Sequence, residues 1–235
     1  MVEEKRKDDL MKGVITTKEK EKIKNMMEDE NFIEFIKVLP EFELKYLAAM
    51  REIETKMKIL NEDFKTRYNR SPIDNIESRL KSNESLVKKM MRNNVAFSID
   101  AVEQNIFDIA GVRIICPFIS DIYSLAEIIS QNEEITIIRI KDYIKEPKES
   151  GYRSYHMIVQ IPVYLTTGRE DVNVEIQLRT MAMDFWSSLE HKIKYKYDGL
   201  IPDDVKIELV ECADSIAKND EAMMLLDKKV QQVNN

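Results

Sequence analysis

Glycine is scarce. The 235 residues contain five: Gly13, Gly111, Gly151, Gly168 and Gly199. That excludes a P-loop and a G-x-G-x-x-G turn, because both bring backbone against phosphate through closely spaced glycines. A nucleotide bound by this chain must have its phosphates held by side chains. Histidine is scarcer still, with only His156 and His191. Neither is followed by Asp, so no His-Asp metal pair exists, and a His-rich zinc site is not expected. The two cysteines, Cys116 and Cys212, lie far apart without zinc spacing. They read as small hydrophobes in a reducing compartment. No apolar run approaches the roughly 20 residues that span a bilayer. The opening MVEEKRKDDLMKG has no apolar region of the kind a signal peptide needs. The expected location is cytoplasmic, with no membrane partner. A basic excess is also missing. The formal net charge of −7 argues against a general nucleic-acid binder, although local basic clusters can still bind phosphate.

What is present is an ordinary soluble composition, 43% hydrophobic and 34% charged. Residues 1–22 are charged and aperiodic and are expected to form a flexible arm. Residues 23–235 are expected to form a single domain. A helix is expected over 23–39, ended or kinked by Pro40. A long amphipathic helix follows, with Leu44, Leu47, Met50, Ile53, Met57, Leu60 and Phe64 at helical steps. It ends near Tyr68 at the breaker cluster Asn69-Arg70-Ser71-Pro72. Residues 73–83 are polar and read as irregular or briefly helical. Ser82 or Asn83 then caps a helix over 84–93. Strands are expected at 111–116, 135–143, 154–163 and 172–179. A short helix capped by Ser120 or Asp121 follows the first strand, and another helix begins at Thr180. A last amphipathic helix over 203–230 has Val205, Leu209, Cys212, Ile216 and Met223 or Met224 as its seam. The fold class expected is α+β: a mixed sheet of about five strands flanked by helices, with helical N- and C-terminal extensions.

Several residues carry chemistry. Glu175, Gln177 and Arg179 stand at every second position of the last strand, opposite Val174, Ile176 and Leu178. They therefore share one sheet face. Asp108 stands at the entrance of the first strand. If those strands are neighbours, Asp108 and Glu175 can hold Mg²⁺, which takes one or two carboxylates plus substrate phosphates. The plainer alternative pairs the two acids with Arg113 and Arg179. Lys81, Ser85, Lys89 and Arg92 stack along one helical face just after Arg79, close to a helix N-terminus. That arrangement suits an anion, or it is a solvated basic face. Tyr152 follows Gly151 in a loop with Lys145, Lys148 and Arg153. It can stack on a base or simply pack the loop. His156 reads as a partial-core histidine or a phosphate donor. Arg139 and Lys141 alternate with Ile138 and Ile140 and so point away from the buried side. Glu190, His191 and Lys192 show no ligand geometry and read as structural.

The segments Asp108-Ile109-Ala110-Gly111-Val112-Arg113, Lys148-Glu149-Ser150-Gly151-Tyr152-Arg153-Ser154-Tyr155-His156 and Val174-Glu175-Ile176-Gln177-Leu178-Arg179-Thr180 resemble the synthetase domain of the RelA/SpoT family. The run from Ala182 to His191 is similar to the small alarmone synthetases, most of all the RelP-type subgroup. The resemblance covers roughly 42–229. It implies a nucleotidyltransferase-like fold and a Mg²⁺-dependent reaction. Pyrophosphate moves from ATP to the 3′-hydroxyl of GDP or GTP, with GMP a further acceptor to test. The products are AMP and the alarmones ppGpp or pppGpp. By motif, Arg79 and Arg113 sandwich adenine, and Lys81, Ser85, Lys89 and Arg92 hold ATP phosphates. Asp108 ligates the metal, and Glu175 is metal ligand, general base or both. Tyr152 stacks on guanine, Lys148 and His156 meet acceptor phosphates, and Gln177 and Asp184 lie near the guanosine. Arg139-Ile140-Lys141-Asp142 resembles a motif linked to acceptor choice, which brings in Lys141.

The resemblance further implies synthesis without hydrolysis, control at transcription or by ligand, and a homotetramer built through the terminal helices. Asn75-Ile76-Glu77 stands where some relatives carry a Phe-x-Thr stretch used in alarmone activation, so that regulation is in doubt here. Regulation by RNA or by an alarmone stays open. The alternatives are a catalytically silent nucleotide- or RNA-binding regulator on the same fold and a helical oligomerisation scaffold. Intact Asp108 and Glu175 argue against the first, and the polar sheet face against the second.

Overall fold

The computed structural model of the chain describes residues 29–196 and 201–233. The arm expected over 1–22 and the turn at Asp198-Gly199 lie outside the described residues. The elements in order are α1 (Glu30–Tyr68), β1 (Asn75–Leu80), α2 (Asn83–Asn93), α3 (Ile99–Asn105), β2 (Ala110–Cys116), α4 (Ile119–Ser130), β3 (Thr136–Asp142), β4 (Tyr155–Leu165), β5 (Gly168–Thr180), α5 (Met181–Lys196) and α6 (Asp203–Val233). The strands form one mixed sheet of order β1-β2-β5-β4-β3. With helices flanking it, this is the α+β class the sequence leads one to expect.

Several local expectations change. The two N-terminal helices are one, because α1 runs unbroken through Pro40. An interior proline removes a helical hydrogen bond. Here Phe35, Ile36, Leu39 and Phe42, buried on both sides of it, keep the helix continuous. The polar segment read as irregular or briefly helical contains β1, an edge strand of alternating exposure. Its sequence, NIESRL, hides the strand because neither face is fully apolar. On β3, the other edge, Ile138 and Ile140 are 47% and 43% exposed rather than buried. The register slips between Ile137 and Arg139, so Ile138 falls at the irregularity. On α6, Ala213 and Asp220 are buried, while Cys212 and Met223 face outward.

The chain divides into two compact units. The first contains residues 29–52, Arg79–Gly111 and Ile161–Val174; the second contains Ile53–Ser78, Val112–Gln160 and Glu175 onward. In the first, Phe32, Ile36 and Val87 form a core that Met91 and Phe97 extend. The Phe32 and Phe97 rings meet edge to face, with centroids 5.0 Å apart. This core seats α2 through its buried Leu86, Val87 and Met90. Ser82 caps that helix by accepting a hydrogen bond from the Ser85 N–H at 3.3 Å. Left-handed Asn94 ends it, with φ of 53°.

In the second unit, Ile114, Ile122, Leu125, Ile129, Met157, Val159, Ile176 and Leu178 are buried. The turn after α1 is fixed where Ile73 N–H donates to Asn61 Oδ1 at 3.1 Å. Arg70 and the buried Asp121 form an ion pair beside it. No helix among the described residues is long and apolar enough to cross a membrane.

Candidate active site

The first unit holds a cationic cluster around one acid. Lys81 follows β1, and its backbone N–H donates to Ile109 O at 2.7 Å. That bond places Lys81 beside the residues just before β2, where Asp108 stands. Lys81 Nζ lies 3.0 Å from Asp108 Oδ2, and Lys89 Nζ, from α2, lies 2.8 Å from Oδ1. Burial alone would push the Asp108 carboxyl up; the ion pairs with Lys89 and Lys81 outweigh it and hold the carboxyl below its ordinary value. Buried Oδ1 has an ion pair but no aligned hydrogen bond. Ser85 lies on the same helix, its hydroxyl 2.9 Å from that of Ser82. Arg79, near the end of β1, and Arg92, in the last turn of α2, are exposed. The result is a row of basic groups running from Lys81, just before α2, through Lys89 to Arg92 in its last turn, with Glu84 as the charged residue of the first turn.

Arg113 belongs to the second unit. Its Nη1 lies 3.2 Å from Glu77 Oε2 and 3.4 Å from Asp184 Oδ1. Within the first unit, the partners of Asp108 are the lysines Lys81 and Lys89. Asp184, expected near guanosine, joins the same ion-pair group as Arg113.

Strand β5 organises the rest of this unit. Val172, Val174, Ile176 and Leu178 are buried at alternate positions, so Glu175 and Gln177 project from the opposite face. Glu175 Oε1 lies 3.1 Å from His156 Nδ1, and Oε2 accepts from Gln177 Nε2 at 2.8 Å. Gln177 Oε1 in turn accepts from Arg179 Nη2 at 3.0 Å. His156 Nε2 lies 2.8 Å from the Tyr152 hydroxyl, which accepts from Arg179 Nη2 at 2.6 Å.

The chemistry of the ends orients this network. An ionised Glu175 only accepts, so His156 Nδ1 donates to it. A neutral His156 then accepts at Nε2, and the Tyr152 O–H donates there. Lys141 pairs in register with His156 across β3 and β4 and so shares its face. Lys148 Nζ lies 4.6 Å from the Tyr152 ring centroid and 4.7 Å from that of Tyr143, within cation–π range. The loop turns tightly there: Gly151 N–H donates to Lys148 O at 2.8 Å, with Gly151 at φ of 84°.

Residues 78–200 match the model described as "Region found in RelA / SpoT proteins". The chain belongs to the RelA/SpoT family. It is 44% identical over 187 residues to the GTP pyrophosphokinase YwaC of Bacillus subtilis, covering 80% of this chain and 89% of that one. The GTP pyrophosphokinase YjbM of the same organism is 36% identical over 192 residues, covering 81% and 89%. Among solved structures, small alarmone synthetase 2 from Bacillus subtilis superposes with a TM-score of 0.75 at 43% identity, covering 82% of this chain and 99% of that one. Small alarmone synthetase 1 from that organism, bound to its product pppGpp, gives 0.77 at 36%, covering 83% and 99%.

Within this RelA/SpoT region, Arg179 is the residue whose weight the sequence understates. It is 4% exposed. Its Nη1 donates to Asp184 Oδ1 at 3.1 Å and Ser187 Oγ at 3.0 Å, while Nη2 reaches Tyr152 and Gln177. One guanidinium thus ties β5, α5 and the loop carrying Tyr152. Alternation on β5 points to the shared face; it does not indicate that Arg179 turns inward as a hub.

Proposed function

We propose that this RelA/SpoT-family chain is a GTP diphosphokinase that moves pyrophosphate from ATP to the 3′-hydroxyl of GDP or GTP. The observation that carries the reading is the fixing of both Glu175 oxygens, by His156 and Gln177, beside Tyr152 and Lys148. A carboxylate oriented so firmly on a polar sheet face suits proton abstraction from a hydroxyl. The acceptor 3′-oxygen bonds to the β-phosphorus of ATP. The bond from that phosphorus to the α–β bridging oxygen breaks, and AMP leaves with the oxygen. The hydroxyl proton goes to Glu175.

Lys81, Ser85, Lys89 and Arg92 are assigned to the ATP phosphates, and Arg79 and Arg113 to the adenine. Tyr152 is assigned to the guanine, with Gln177 and Asp184 near the guanosine. Lys148, His156 and Lys141 are assigned to the acceptor phosphates. The lysine cluster meets the charge on the transferred group, which is how phosphoryl-transfer sites act in general.

Mg²⁺ is the metal assigned to this chain. Among the described residues no group of three or more His, Cys, Asp or Glu side chains gathers to hold a metal. Mg²⁺ is commonly held by one or two carboxylates and completed by substrate phosphates. Asp108, with its buried Oδ1 lacking an aligned hydrogen bond, is the first candidate ligand, and Glu175 the second. When bound, the ion neutralises charge on the phosphate oxygens.

The test is ion-exchange analysis of ATP incubated with Mg²⁺ and GDP, GTP or GMP. Pyrophosphorylated guanosine with matching AMP is expected; its absence from all three mixtures would remove the reading. Tyr152→Ala is expected to raise KM for the guanosine nucleotide about tenfold, the scale of one lost base–aromatic stack. KM for ATP should change little. A rise for ATP alone would reverse the two pockets.

The remaining features of the proposal are a single domain over 23–235, a cytoplasmic protein without hydrolase activity, and a homotetramer. The last draws on exposed apolar side chains of the terminal helices, such as Leu44 and Ile59 on α1 and Met223 and Leu226 on α6.

A further inference from the structure

Helix α6 makes three contacts with the parts of the second unit that hold Tyr152 and Arg179. The first is at the loop tip. A Cβ added at Gly151 would lie 2.6 Å from Ala213 Cβ and 3.5 Å from Val210 Cα. Backbone and helix therefore touch there with no room for a side chain. The second is next door. Arg153 Nη2 donates to Asp214 Oδ1 at 3.0 Å, and its Nη1 to Ala213 O at 3.4 Å. The third is at the start of α5. Thr180 Oγ1 accepts from Met183 N–H at 3.1 Å, capping α5, and donates to Asp220 Oδ2 at 2.5 Å. Both partners are buried, Asp220 at 6% exposure and Thr180 at none.

These contacts converge. Thr180 is the cap of the helix that presents Asp184 and Ser187 to Arg179. Arg179 holds the Tyr152 hydroxyl from one side, and the Gly151–Ala213 contact sets the Tyr152 backbone from the other. A hydroxyl that caps a helix while donating to a buried carboxylate is fixed in both directions, so the first turn of α5 has one position.

We infer that α6 is part of the acceptor-subsite machinery, with Asp220 and Ala213 as positioning residues that act through Thr180, Gly151 and Arg179 on Tyr152. This deepens the proposed function and rests on its assignment of Tyr152 to the guanosine nucleotide. None of the family motifs quoted above reaches α6; the link is made by a contact spanning 40 residues between Thr180 and Asp220.

The consequence is a selective effect on one nucleotide. Loss of the Asp220 anchor loosens the α5 cap and the Arg179 hub, weakening guanosine binding. The lysine cluster around Asp108 makes none of these contacts, so ATP binding is left in place.

Isothermal titration calorimetry of the full chain with GDP, and separately with a non-hydrolysable ATP analogue, tests this without depending on turnover. Asp220→Ala and Thr180→Val are each expected to weaken GDP about tenfold, the scale of one hydrogen bond lost in a buried network. The ATP analogue should change less than about twofold. Thr180→Ser, which keeps the hydroxyl, should bind GDP as the wild type does. Circular dichroism checks that each variant folds. Should Asp220→Ala fail to fold, Thr180→Val against Thr180→Ser decides. Equal GDP affinity in that pair, or equal weakening of both nucleotides, overturns the role of α6. A wild-type chain that binds no GDP overturns the acceptor-subsite reading itself, and the α6 role with it.

Discussion

Glu175→Gln is expected to lower kcat for pyrophosphate transfer about a thousandfold, within the usual range for loss of a general base, while KM for ATP stays within about threefold. Glutamine keeps the length of the side chain and an oxygen for the His156 Nδ1 donor. It loses the capacity to take a proton. Its amide also disturbs Gln177, whose Nε2 donates to Glu175 and whose Oε1 accepts from Arg179. With an amide at 175 supplying hydrogens where Oε2 stood, Gln177 must either face N–H against N–H or flip. A flip turns its own N–H groups toward Arg179, which has no acceptor to offer. Steady-state rates with GDP and with GTP measure the effect. A kcat within tenfold of wild type would contradict the role given to Glu175. Repeating the assay over a range of Mg²⁺ separates its two uses: a lost ligand is partly compensated by more metal, a lost base is not.

Asp108→Asn is expected to reduce turnover by a similar factor, about a thousandfold, for a different reason. The carboxylate lies between two ammonium groups, Lys81 at 3.0 Å and Lys89 at 2.8 Å. Replacing it with an amide leaves both cations without their counter-charge and removes a candidate metal ligand. ATP phosphates then become the nearest anions for those lysines. ATP binding should therefore persist or tighten while transfer fails, a split that simple unfolding cannot mimic. Calorimetry with the non-hydrolysable ATP analogue, set beside rates, reads it. Weakened ATP binding with normal turnover would overturn the assignment.

The same ion pairs carry a stability signature. Because Asp108 is held below its ordinary value in the fold, its pairing stabilises the chain above the usual carboxylate range. That contribution is lost as pH falls through the lowered folded-state value. Denaturation of Asp108→Asn should lack this part of the acid dependence.

The sheet was readable where strands are β-branched and buried. Val172, Val174, Ile176 and Leu178 alternate so regularly that the polar face of β5 follows at once, and with it Glu175 and Gln177. The Ser82 cap and the α2 stripe were readable because caps and helical steps are local. One edge was not. β1 is half exposed, so its sequence lacks the apolar signal that marks a central strand; β3, the other edge, was readable as a strand but not in which of its residues are covered. Pro40 reads as a stop because its local penalty is visible while the packing that overrides it is not.

The same division holds in the candidate site. Sequence neighbours such as Asp108 and Arg113 look like natural partners, yet Asp108 meets lysines and Arg113 meets Glu77 and Asp184. Arg179 was placed on its strand face by alternation, but its role as a hub depends on Tyr152, Asp184 and Ser187. Asp220 carried no signal at all. An acid on an amphipathic helix normally faces water, and only the fold shows Thr180 waiting for it.

The most direct measurement follows the phosphates of ATP. The chain is incubated with GDP, Mg²⁺ and ATP labelled separately at the α, β or γ position. The β and γ labels are both expected in the guanosine product, in equal amount, while the α label stays in AMP. Label from γ alone, with ADP as co-product, or no labelled guanosine product at all, would contradict pyrophosphate transfer.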